Sequence, residues 1–206
     1  MMPRPTQASH VFDYTDHLDK LIRHIISTSP QYAHINHDRL LVAFGQARSE
    51  AQHGVFATIQ ALRFAGGHEC MERGKRTHRW PRVMHGDREI LYLIQFMMPR
   101  FADLEYRQKL TTVFHELYHV SPDCNGDLRR FPGRNFAHGV SRDVYNARLQ
   151  PWIDEYLSHP DSAEVTSFLR LTFNQVQAQF GQVVGIRARP LRPVATGLSA
   201  DQIHKG

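Results

Sequence analysis

The stretch Thr111-Thr112-Val113-Phe114-His115-Glu116-Leu117-Tyr118-His119-Val120 sets two histidines four residues apart inside an apolar frame. Positions four apart share one face of a helix, so His115 and His119 can aim two imidazoles at one point. Glu116 is the next residue along, rotated by roughly 100° from His115. From there it can reach a water molecule held between the two rings. Two neutral nitrogen ligands with a carboxylate that takes a proton from bound water are what zinc hydrolysis requires.

The surroundings favour a helix. Leu104, Leu110, Val113, Phe114 and Leu117 recur at helical spacing, Asp103 is an expected N-cap with Glu105 in the first turn, and Pro122 ends the element just past the second histidine. Upstream, Glu89 to Met98 is an almost unbroken apolar run closed by Pro99. Such a run reads as a strand buried on both faces. A buried strand, a tight connection and the histidine helix therefore form the expected spine.

The remaining chain supplies further elements. Phe12–Ser29 has helical periodicity through Leu18, Leu21, Ile22, Ile25 and Ile26. Leu40–Phe44 and Val55–Phe64 read as strands, and the polar, basic Cys70–Arg88 stretch as a loop or long hairpin connection. Two further helices are expected, from Ser141 to about His159 with a kink or second start at Pro151, and from Ala163 to about Phe180. Gly181–Arg189 suits a short strand. The expected class is α+β: a small mixed sheet packed on helices, one of which carries the histidine motif. One domain is expected over residues 1–190, with 191–206 a flexible tail. His17 and His24, seven apart, read as surface or core histidines, and His68, His78 and His85 as solvent-facing.

Composition sets bounds on function. Hydrophobic residues make up 41% and charged residues 22% of the 206, the usual balance for a globular chain. No apolar run is long enough to cross a bilayer, and the opening Met1–Gln7 lacks an apolar core, so the expected location is the cytoplasm. Cys70 and Cys124 read as two lone thiols in preference to a disulfide framework. The net charge of +5 permits contact with nucleic acid, through groups such as Arg73–Arg82 and Arg129–Arg134. No recognition helix or RNA-binding motif accompanies it, and a solvated basic surface is the plainer reading.

Two histidines leave zinc short of a third protein ligand. The extended pattern with Gly at 122 and His at 125 does not apply, because Pro122 and Asn125 stand there. His138, in Asn135-Phe136-Ala137-His138-Gly139, is the favoured third ligand. Asp143 and then Asp127 are the carboxylate alternatives, ahead of Asp154 and Glu155. Arg134, Arg142 and Tyr145 are candidates for substrate or oxyanion contact by position. Arg129 and Arg130 could bind an acidic substrate or pair with Asp127 or Asp123.

His115-Glu116-Leu117-Tyr118-His119, then Gly126-Asp127-Leu128-Arg129-Arg130-Phe131, then Gly133-Arg134-Asn135-Phe136-Ala137-His138-Gly139 resembles a family of metallopeptidases from phages, bacteria and archaea that in turn resemble zincins. The resemblance covers about residues 34–160. It implies a zincin-like α+β fold, one zinc ion on His115, His119 and His138, Glu116 as general base, and a peptide or protein substrate. A shorter likeness, to SprT-like and WLM proteases, raises the alternative of a DNA-associated zinc protein, either a protease or a non-catalytic binding module.

Overall fold

The computed structural model describes residues 11–46, 54–131 and 142–198, without the side chains of 142–144 and 197–198. The chain opens with strand β1 (Val11–Asp13) and helix α1 (Tyr14–Thr28). Asp13 caps α1 by accepting from the Asp16 N–H at 3.0 Å. Leu18, Leu21, Ile22 and Ile25 are fully buried, the apolar stripe expected from their spacing.

The central sheet has β8 (Tyr92–Met98) in the middle, with β2 (Leu40–Gln46) parallel on one side and β3 (Ala57–Ala61) antiparallel on the other. Six of the seven residues of β8 are buried, as a run apolar on both faces demands. The expected strand 89–98 divides at Leu91, where Arg88–Ile90 (β7) instead pairs with Val83–His85 (β6). Residues 70–79 form another hairpin, β4 (Cys70–Arg73) and β5 (Arg76–Arg79). Two hairpins thus fill most of the region expected as a loop or long connection. Cys70 and Cys124 are free thiols.

Helix α2 (Tyr106–Tyr118) follows β8 after a short connection, and His119 is its C-terminal cap. Its N-cap is Glu105, not Asp103. Glu105 and Gln108 form a reciprocal capping box, while Asp103 accepts from the Phe173 N–H at 3.0 Å, at the start of another helix. Leu110, Val113, Phe114 and Leu117 are fully buried. Lys109 is buried too, and its ammonium donates to the carbonyls of Leu169 (2.8 Å) and Leu171 (2.7 Å). Burial pulls its pKa down to about 8.

Helix α3 (Arg142–Leu157) runs continuously through Pro151, where a kink or second start is expected from the sequence. The expected helix 163–180 is three pieces: α4 (Ser162–Val165), a 3-10 turn (Ser167–Arg170) and α5 (Phe173–Phe180). Thr172 ends the run because its hydroxyl caps the Gln175 N–H while Gln175 reaches back to the Thr172 N–H. Strand β9 (Gln182–Val184) pairs in parallel with β1. The segment expected as a tail from residue 191 contains strand β10 (Val194–Leu198), antiparallel to β5. A free strand edge on β5 is the physical reason: it offers backbone partners to whatever follows. No helix among the described residues is long and apolar enough to cross a membrane.

Candidate metal centre

Helices α2 and α3 lie antiparallel, side by side. Arg107 pairs with Asp154 and meets Gln150 at 3.3 Å, Thr111 meets Gln150 at 3.2 Å, His115 meets Asn146 at 2.7 Å, and His119 meets Tyr145 at 3.4 Å. Ascending α2 therefore means descending α3, and the last polar rungs of this ladder belong to the two histidines.

The Nε2 atoms of His115 and His119 face each other at 3.1 Å, with the rings edge-on at 76°. Two zinc–nitrogen bonds of about 2.0–2.1 Å opened to a tetrahedral angle would hold such atoms about 3.3 Å apart. The donor set fits. His115 Nδ1 lies 2.7 Å from Asn146 Oδ1. An amide oxygen only accepts, so Nδ1 carries the proton and the Nε2 lone pair points toward His119. That is the tautomer a metal ligand needs, fixed by an outer hydrogen bond.

Both histidines and Glu116 are nearly enclosed, at 5%, 6% and 7% exposure for His115, His119 and Glu116. Tyr145 packs on both rings, stacked on His119 and tilted against His115. Burial raises the Tyr145 phenol well above its ordinary range, and the charges of Tyr118 and Glu116 raise it further. Tyr145 is therefore a neutral phenol beside the pair, and Glu116 is near enough for its carboxylate to be felt there.

The chain leaving α2 is held tightly. Arg129 N–H donates to the His119 carbonyl at 2.7 Å, and Val120 bridges Leu128. Tyr92 of β8 donates to the Asp127 carbonyl and accepts from the Gly126 N–H, both at 2.9 Å. Gly126 has φ +87°, and a Cβ there would lie 2.5 Å from Arg63 Cγ, so only glycine fits. The Asp127 carboxylate accepts from the backbone N–H groups of Gly66 and Leu128 and from two nitrogens of Arg130. Burial alone would raise its pKa, but Arg130 and those N–H groups outweigh burial and hold it below the ordinary 3.8. Asp127 thus serves this turn, and Arg130 is its ion partner. Arg129 lies over the Tyr118 ring at 4.5 Å. In the other basic group, Arg79 pairs with Glu69 and Arg82 with Glu89.

Of the residues singled out from the sequence, His115, Glu116, His119 and Tyr145 share one locus. His138 and Arg134 lie outside the described residues, as do the side chains of Arg142 and Asp143. Asn146 escaped the sequence reading. Its signal was weak: an asparagine inside a helix has poor propensity, which hints that its side chain is engaged elsewhere.

A family model described as "Putative phage metallopeptidase" matches residues 10–156. The chain belongs to this family. The match spans β1 through nearly all of α3 and so includes both helices of the paired-histidine locus. No curated protein and no solved structure matches the chain. Membership of a metallopeptidase family implies a metal ion and a peptide or protein substrate.

Proposed function

We propose that the protein is a zinc-dependent peptidase with a zincin-like arrangement of sheet and helix, in which His115, His119 and His138 hold one zinc ion and Glu116 is the general base. The observation that carries this reading is the 3.1 Å approach of the two Nε2 atoms, with the His115 tautomer set by Asn146. Phe131 packs on Tyr145 with ring centroids 5.7 Å apart, and Tyr145 touches both histidines. His138 stands seven residues after Phe131 and seven before Tyr145. Seven residues can span about 23 Å when extended, so neither Phe131 nor Tyr145 puts His138 out of reach of the pair. Asp143 is the alternative ligand. Asp127 is a poorer one, because its oxygens are engaged in the turn.

Zinc at this position would supply Lewis acidity, polarising a scissile carbonyl and acidifying the attacking water. Glu116 accepts the proton from that water and delivers it to the leaving amine. Its near-burial keeps bulk water from competing for the carboxylate. Tyr145 orients His119 through the 3.4 Å contact to Nδ1, which makes it a positioning residue first. Arg134 and Arg142 remain the candidates for substrate or oxyanion contact. The reading treats the chain as one peptidase domain that includes β10 and lies in the cytoplasm.

The test is hydrolysis of an unfolded protein substrate by the full chain. Activity should vanish with a chelator and return with added zinc; activity indifferent to chelation would overturn the metal reading. His138→Ala should lower the zinc content sharply, and unchanged content would transfer the ligand role to Asp143.

A further inference from the structure

On the far end of the helical layer a second group of metal-ligating side chains converges. His24 of α1, His159 just past α3 and Asp161 at the start of α4 each offer one ligand atom, all within 4.8 Å of one another. The His24 and His159 rings meet edge-on, with centroids 5.3 Å apart. None of the three belongs to the His115–His119 locus.

Three features go beyond proximity. His24 Nδ1 lies 2.9 Å from the hydroxyl of buried Tyr156, which leaves Nε2 as the ring atom available to a ligand. With Nε2 engaged, Nδ1–H donates to the Tyr156 oxygen, the outer hydrogen bond that holds a metal-binding imidazole in its tautomer. His159 Nδ1 is buried and has no hydrogen-bond partner among the described residues. An enclosed ring nitrogen without a partner is unusual and calls for one. Asp161 does not cap its own helix: no side-chain hydrogen bond closes the start of α4. Its carboxylate is exposed and can swing toward the rings.

We infer that His24, His159 and Asp161 form a second divalent-metal site that staples α1 to the α3–α4 turn. Two imidazole nitrogens and one carboxylate suit a borderline ion such as Zn2+, Co2+ or Ni2+, not Mg2+ or Ca2+, which take oxygen donors. His24 and His159 are 135 residues apart in the chain, so they meet only in the folded state, and an ion bound there stabilises the fold by mass action. The exposed side at Asp161 leaves a coordination position for water. The role is structural: its ligands come from α1 and from the α3–α4 turn, so an ion held by them ties the two elements together.

The experiment is Co2+ and Zn2+ binding to the full chain and to a His115→Ala/His119→Ala background. That background should still bind one ion per chain, with the visible bands of low-symmetry Co2+. His159→Gln in the same background should abolish the bands and the bound equivalent. Tyr156→Phe, which touches no ion, should weaken binding about 10- to 100-fold. Asp161→Asn alters only an exposed side chain, so it keeps the test open if His159→Gln fails to fold; it should weaken binding roughly tenfold in the parent chain too. A background that binds no ion, or binding indifferent to His159→Gln and Asp161→Asn, would overturn the site without bearing on the zinc peptidase reading.

Discussion

The molecule brings histidines together in two places by two different means. His115 and His119 meet because one turn of α2 carries both. His24 and His159 meet because α1 packs near the end of α3, with no local spacing to announce it. The first pair is nearly enclosed and has a carboxylate, a phenol and an amide arranged around it. The second is half-buried, with an exposed aspartate as its third member. A helix turn fixes the distance between two side chains before anything else folds, so chemistry can be built on it. A tertiary contact fixes that distance only once the core has formed, which suits a staple better than a reaction centre.

Substitutions can break that contrast. The largest effect should come from Glu116→Gln, which removes the proposed proton acceptor while leaving His115 and His119 in place. Turnover should fall about 10²- to 10⁴-fold with metal content retained. His159→Gln should leave turnover unchanged. Equal losses in the two variants, measured with one peptide substrate, would erase the distinction between reaction centre and staple.

Next is Gly126→Ala. Its φ of +87° and the 2.5 Å approach to Arg63 should cost about 2–4 kcal/mol. Urea denaturation would read the loss. A neutral outcome would mean that the turn after His119 adapts readily and does not hold the first pair. Asn146→Ala should then weaken metal binding at that pair about 10- to 100-fold, read by chelator competition, with less loss for Asn146→Asp. An unchanged affinity would show that the His115 tautomer needs no help from α3.

The smallest effect expected is at Asp127. Its folded pKa lies below the ordinary 3.8, so the carboxylate contributes stability that is full above that value and is lost as pH falls through the folded pKa. Asp127→Asn should cost about 1–2 kcal/mol at neutral pH. The gap between variant and parent should close below pH 3.8, seen by acid titration of the circular dichroism signal. A gap that persists there would assign the loss to packing, not charge.

Much of the frame was legible because its signals are local. The stripe Leu18–Ile25, the apolar run into Met98 and the face Leu110–Leu117 each declare their own element. Misreadings arose where a local signal had a competitor. Thr172-Phe173-Asn174-Gln175 is a capping box inside an apparently continuous helical stretch, and its capping hydrogen bonds prevailed over the apolar periodicity. Asp103 is a good cap by type, yet Glu105 with Gln108 serves α2, and Asp103 serves α5 seventy residues away. The strand Val194–Leu198 has little to mark it except a partner, β5, which composition does not reveal.

The sequence by itself determined that His115 and His119 share a helical face beside Glu116, because a four-residue spacing becomes a direction as soon as backbone hydrogen bonds form. Only the tertiary structure decided that Asn146 and Tyr145 set those rings in place, that Asp127 serves a turn, and that His24 faces His159. These relations cross between elements, and what places them is the packing of α1, α2 and α3, in which distant residues meet only after the apolar faces have found each other.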